Sequence, residues 1–171
     1  MLFNSFEFLV FFLVVIVTYF SVPHRFRWFL LLVSSYFFYG YWEPKYLIII
    51  LGSTVIDFTL GKLIFRSETK KKKRLYLYLS LFSNLSVLFF FKYFNFFLEN
   101  VSPVVQLVNE GYTFSALDII LPVGISFYTF QTLSYSIDIY NGKIKEPERD
   151  FGIFALFVSF FPQLVAGPIE R

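Results

Sequence analysis

LPVGISFYTFQTLSYSIDIYNG, residues 121–142, has the length and apolarity of a membrane span, yet it carries groups that lipid rejects. At about 100° per residue, Gly124, Tyr128, Gln131, Tyr135 and Asp138 fall in one narrow sector of a helix. Thr129, Thr132 and Ser136 widen that sector, while Val123, Phe130, Leu133 and Ile137 line the opposite side. The Gln131 amide and the Asp138 carboxylate would be unsatisfied in hydrocarbon, so the polar stripe must face other helices or a wet cavity. Two uses are open. One is interhelical hydrogen bonding that holds a bundle together, the commoner role for any single residue of this kind. The other is the wall of a substrate or cofactor passage.

The composition agrees with a lipid solvent. Of 171 residues, 57% are hydrophobic and 24% aromatic, with 27 Phe, and only 16% are charged. A soluble domain carries about a quarter charged residues. Several long apolar runs make this an integral membrane protein. The expected fold is all-α: one membrane-embedded domain over residues 1–171, a polytopic bundle of about six spans. Without cysteine there are no disulfides or thiolate metal sites, and a single His makes no His-based metal cluster.

The spans follow in order. Phe3–Val22 has no basic residue before it and no small-residue cleavage site after it, so it is expected to be retained rather than removed as a signal. Phe26–Trp42 ends in Tyr36, Phe37, Phe38, Tyr39, Tyr41 and Trp42, the aromatic belt of an interface. Tyr46–Phe65 holds Asp57 near its middle, among Gly52, Ser53, Thr54, Thr59 and Gly61. A carboxylate at that depth must face inward, be paired or be protonated, and its partner is expected on another helix. The basic run Lys70–Arg74 is expected as a cytoplasmic loop touching anionic headgroups, not as a nucleic-acid contact. Leu75–Phe91 is the fourth span, with Asn84-Leu85-Ser86 inside it. Residues 99–118 form the longest connection, whose apolar set suits the membrane surface. The striped span is expected over Ile119–Tyr140. A sixth segment, Phe151–Val165, is interrupted by Pro162 and Gly167-Pro168, which predicts a broken or re-entrant helix.

The stretch 121–142, followed by FALFVSFFPQLVAGPIER at 154–171, resembles the membrane-bound O-acyltransferase (MBOAT) family, in its alginate O-acetyltransferase branch. SYFFYGYWEPKYLIII, STVIDFTLGKLI and FFFKYFNFFLEN resemble that family's N-terminal part in the same order, so the likeness covers the whole chain. The resemblance implies a ring of helices around a funnel. It implies transfer of an acyl group, acetyl in this branch, from a cytoplasmic thioester donor to a hydroxyl of an extracytoplasmic polysaccharide such as alginate. The thioester, acetyl-CoA or an acyl carrier, would be a co-substrate rather than a tightly bound cofactor. An intramembrane His would act as general base, and accessory acyltransferase proteins on the outer face would be partners. Tyr128, Gln131, Tyr135, Asp138 and Gln163 would line or support the passage.

The catalytic His implied by the resemblance lies beyond residue 171. The one imidazole here, His24, stands in a turn beside Arg25 and reads as a solvated loop residue. The 171 residues alone are therefore expected to be inactive. Two other readings compete: a non-enzymatic carrier, channel or scaffold subunit, for which intramembrane Asp57 and Asp138 also suit a proton or ion path, and a truncated product without activity. Carriers show two related halves; residues 1–98 and 119–168 differ in character, which with the two motifs favours the enzyme.

Charge sets the expected orientation. The first, third and fifth connections and their flanks hold twelve Lys and Arg residues, from Arg25 to Arg149; the second and fourth hold Lys45 and Lys92. The positive-inside rule then places the N-terminus outside and Lys70–Arg74 in the cytoplasm. In whole cells an impermeant thiol reagent should label Gln106→Cys and spare Lys71→Cys; the opposite pattern reverses the orientation.

Overall fold

The computed structural model describes residues 4–108, 122 and 124–166, and every regular element among them is helical. Helix α1 (Phe6–Ser21) begins where the Ser5 hydroxyl accepts the Phe8 N–H at 3.2 Å, satisfying a donor that a helix start leaves over. A short 3-10 turn at His24–Phe26 leads into α2 (Arg27–Trp42) and then α3 (Tyr46–Arg66). Both lie within a residue of the expected spans. Helices α4 (Lys70–Val108), α5 (Ile125–Tyr140), α6 (Phe151–Ser159) and α7 (Phe161–Ala166) complete the described chain.

Helix α4 departs from expectation at both ends. The basic run Lys70–Arg74 is not a loop: it forms the first turns of the helix. Lys and Arg are good helix formers, and no Gly or Pro interrupts the chain from Lys70 to Ser102. At the other end residues 99–108, expected as connection, continue the helix; residues 109–118 lie outside the described residues. Helix α5 is shorter than expected. Gly124 precedes it with φ +76°, so it belongs to the entry turn and not to the helical stripe. A Cβ there would lie 2.6 Å from the Leu164 carbonyl oxygen, which leaves glycine as the residue that fits. Residues 119–121 and 123 lie outside the described residues, as do Gly167 and Pro168.

The break near Pro162 is sharp. Phe160 (φ −56°, ψ 109°) ends α6, and α7 restarts at Phe161. Pro162 stands in the first turn of α7, where its missing N–H is no loss. The Phe161 N–H donates instead to the Ser35 hydroxyl on α2 at 3.2 Å. Its ring is buried between α1 and α2, edge-on to Phe11 (5.3 Å) and tilted on Phe38 (5.6 Å). The expected aromatic belt of α2 is therefore divided by helix periodicity. Phe37 and Tyr41 face outward, whereas Phe38 and Tyr39 are buried.

Apolar side chains cover the outside of the bundle, and polar ones are buried beside its apolar core. Large apolar side chains such as Phe6, Phe20, Ile48 and Phe82 are more than two-thirds exposed. Ser35, Thr54, Asp57, Ser80, Thr132, Ser136 and Ser159 are shielded to within 1% of full burial. A water-soluble domain buries the first set and exposes the second; lipid permits the reverse. Helix α3 and the Lys70–Leu98 part of α4 are long and apolar enough to cross a bilayer, and α1 and the α6–α7 segment are shorter apolar helices. Helices α3, α4 and α5 pack mutually, and α2 packs on α6. Gly61 lets α3 approach α5, because a Cβ there would meet the Tyr135 ring at 3.0 Å.

Gly124→Ala should destabilise the protein by about 2 kcal/mol, from a positive φ and a backbone clash. Gly52→Ala, on α3 with open space around its Cβ position, should not. Thermal unfolding of both variants in the same detergent checks the contrast.

Candidate functional site

Asp57 is fully buried at the junction of α3, α4 and α5. Two neutral donors from α4 hold one of its oxygens: the Ser80 hydroxyl at 2.9 Å and the Asn84 amide at 2.7 Å. Ser80 and Asn84 stand four residues apart, on one face of α4. The same amide also donates to the Ser80 carbonyl at 3.0 Å. Its oxygen accepts the Thr132 hydroxyl from α5 at 3.2 Å, and Ser136 lies 3.0 Å from the Ser80 hydroxyl. With the Ser80 proton directed at Asp57, Ser136 is the donor in that last pair. Five side chains from three helices thus form one connected network, and Asp57 Oδ2 has no hydrogen-bond partner among the described residues.

A second polar region lies between α2, α5 and α6. The Gln131 amide donates to the Phe157 carbonyl at 3.0 Å, crossing from α5 to α6. The hydroxyls of Tyr36, Tyr39 and Tyr128 are buried there, without hydrogen-bond partners among the described residues. Tyr39 and Tyr128 belong to the main core cluster with Phe154 and Val158, and Tyr36 packs against it. Together with Asp57 Oδ2, these three hydroxyls are, among the described residues, the buried side-chain polar atoms without a hydrogen-bond partner.

The remaining stripe residues serve the end of the bundle that carries the basic residues. The Tyr135 hydroxyl accepts the Glu148 N–H at 3.0 Å, and its ring lies 4.9 Å from Phe154. Asp138, near the last turn of α5, pairs with Lys143 at 3.3 Å. Its environment therefore differs from that of Asp57: a partly exposed ion pair against a fully buried hydrogen-bonded carboxylate. Lys62 donates to the Arg149 carbonyl at 3.1 Å and lies 3.8 Å above the Phe58 ring. Arg149 also pairs with Glu146, and the Asp150 carboxylate caps α6 through the Gly152 and Ile153 N–H groups. Gln163 lies in the first turn of α7, its N–H bonded to the Phe160 carbonyl at 3.0 Å. His24 is exposed in its turn.

Of the residues singled out from sequence, Tyr128 and Gln131 meet in the second region, Tyr135 and Asp138 tie down the 141–150 loop, and Asp57 lies apart in the first network. Sequence reasoning missed Ser80 and Asn84 as partners of Asp57, and Tyr36 and Tyr39 as interior groups. The i, i+4 placement of Ser80 and Asn84, in a run whose other polar positions are Tyr76, Tyr78, Ser83 and Ser86, was the available signal.

No family model and no solved structure matches the chain. Curated proteins do. Over its whole length the chain is 37% identical to a probable alginate O-acetylase of Pseudomonas aeruginosa, covering 33% of that protein. It is 36% identical to the corresponding protein of Pseudomonas syringae, again over the whole chain. It is 38% identical to a peptidoglycan O-acetyltransferase of Helicobacter pylori, over 81% of this chain and 30% of that protein. The chain spans about a third of the length of the curated relatives it matches. It resembles, over its whole length, the N-terminal part of polysaccharide O-acetyltransferases of the membrane-bound O-acyltransferase (MBOAT) family. Within that family the similarity lies with the alginate O-acetylases and with the peptidoglycan O-acetyltransferase.

The Asp57 network should show energetic coupling. Asp57→Ala and Asn84→Ala should each lower stability by about 2–3 kcal/mol by leaving buried groups unpaired. The double variant should lose at least about 0.5 kcal/mol less than the sum. Thermal or denaturant unfolding in detergent measures the cycle, and simple additivity would show that the contact carries no coupling.

Proposed function

We propose that the chain forms the N-terminal wall of an enzyme that moves an acetyl group across a membrane, from a cytoplasmic thioester to a hydroxyl of an extracytoplasmic glycopolymer. The observation that carries this reading is the similarity over the whole chain to proteins named as alginate O-acetylases, and over 81% of it to one named as a peptidoglycan O-acetyltransferase. In this reading the chain crosses the bilayer about six times with its N-terminus outside, and the α6–α7 break is the re-entrant element. Acetyl-CoA or an acyl carrier brings the acyl group to the cytoplasmic face. Accessory proteins on the outer face receive it or present the acceptor.

The chemistry divides between wall and base. Transfer to a hydroxyl requires a general base within hydrogen-bond reach of the acceptor oxygen. In this reading that base is the intramembrane His of the family, outside the residues of this chain, and the 171 residues alone carry no transfer activity. The wall supplies shape and polarity. Gln131 and the hydroxyls of Tyr36, Tyr39 and Tyr128 give the region between α2, α5 and α6 a polar lining, separate from the Asp57 network. Asp57 holds α3, α4 and α5 together behind that wall, and Tyr135 and Asp138 position the loop on the donor side.

Disrupting the gene in the source cells should abolish alkali-labile acetate on one extracellular glycopolymer, measured by acetate release from purified exopolysaccharide and from peptidoglycan. The polymer that loses acetate identifies the acceptor. Unchanged acetate on every envelope polymer would overturn the acyltransferase reading.

A further inference from the structure

Helix α4 presents two different flanks. Leu77, Ser80 and Asn84 fall on one side and are buried against α3 and α5. Lys71, Arg74, Leu75, Tyr78 and Phe82 fall within about a third of the circumference on another side. That second flank changes character along its length. Its first turns are cationic and its continuation is apolar. Leu75, Tyr78 and Phe82 are 55%, 57% and 73% exposed. A groove of about 660 Å³ marks the junction, lined by Lys70, Lys71, Lys72, Arg74, Leu75 and Tyr78. Among the described residues no acidic side chain lines it. Glu68 lines the neighbouring groove with Arg66 and Lys72, and Asp138 is paired with Lys143.

We propose that this groove is a specific site for an anionic phospholipid, with the phosphate held by Lys70, Lys71 and Arg74 and an acyl chain laid along Leu75, Tyr78 and Phe82. The charge selects an anion, and the apolar strip running on from the groove selects an anion that carries hydrocarbon. A free phosphate uses the first feature only. Tyr78, at the boundary, offers an aromatic ring to the glycerol level and a hydroxyl to the headgroup. Because Ser80 and Asn84 on the other flank of α4 donate to Asp57 of α3, a lipid seated here fixes the depth of α4 and thus the level of the buried network. The site stands on the geometry of α4 and does not depend on the acyl-transfer reading.

The test uses the whole protein purified from its membranes in a zwitterionic detergent, with phosphatidylglycerol retention read by native mass spectrometry. The wild type should retain about one phosphatidylglycerol in preference to phosphatidylcholine. Lys71→Gln with Arg74→Gln should weaken retention about twenty- to thirtyfold, since each cation near an anionic surface contributes about a factor of five. Lys71→Arg with Arg74→Lys should retain the lipid, which separates charge from folding. Arg25→Gln with Lys145→Gln, equal in charge but away from the groove, should leave retention unchanged. An equal loss in that control pair, no loss in the groove pair, or displacement of the lipid by excess inorganic phosphate would each overturn the proposal.

Discussion

A buried carboxylate held by neutral donors is the constraint on which the packing of this bundle depends. Asp57 is shielded from all solvent, and the groups that reach it are a hydroxyl and an amide. Burying such a group without hydrogen bonds costs several kcal/mol, so the surrounding helices are arranged to supply them. Helix α4 offers Ser80 and Asn84 on one face, and α5 closes the network through Thr132 and Ser136. The rotation of each helix about its axis is thereby set. A turn of either by one residue would aim the hydroxyls at lipid and leave the carboxylate alone.

The rest of the fold uses shape where that centre uses polarity. Glycine lets α3 approach α5 against the Tyr135 ring, and Gly152 lies under the Trp28 ring where α2 meets α6. The α6–α7 break converts a continuous apolar segment into a wedge: Phe161 fills the gap between α1 and α2, and its backbone N–H is satisfied by Ser35. Each device satisfies a polar group or fills a void that a straight helix would leave.

Much of this was legible in the sequence because lipid simplifies the code. Apolar run length placed α2 and α3 within a residue, and Pro162 marked the break. The polar stripe identified the face of α5 that turns inward, with Tyr128, Gln131, Thr132 and Ser136 all buried. Four things were not legible. The stripe extended too far, because periodicity cannot distinguish a helical glycine from one at φ +76°. The basic run looked like a loop, because charge reports position relative to the membrane and not backbone conformation. The partners of Asp57 could not be named, since hydrogen bonds across 23 and 27 residues depend on helix rotation. Tyr36 and Tyr39 were hidden among exposed aromatics of the same composition.

The bond between Ser35 and Phe161 joins positions 126 residues apart. In terms of biogenesis, α1 and α2 emerge from the ribosome and enter the bilayer long before Phe161 has been made. During that interval the slot that Phe161 will fill, lined by Phe8, Phe11 and Phe38, is open to lipid tails. The early hairpin is thus an acceptor that waits, and lipid must leave the slot when the later segment arrives. An apolar slot lined by rings suits that exchange, because hydrocarbon occupies it at little cost until the wedge displaces it.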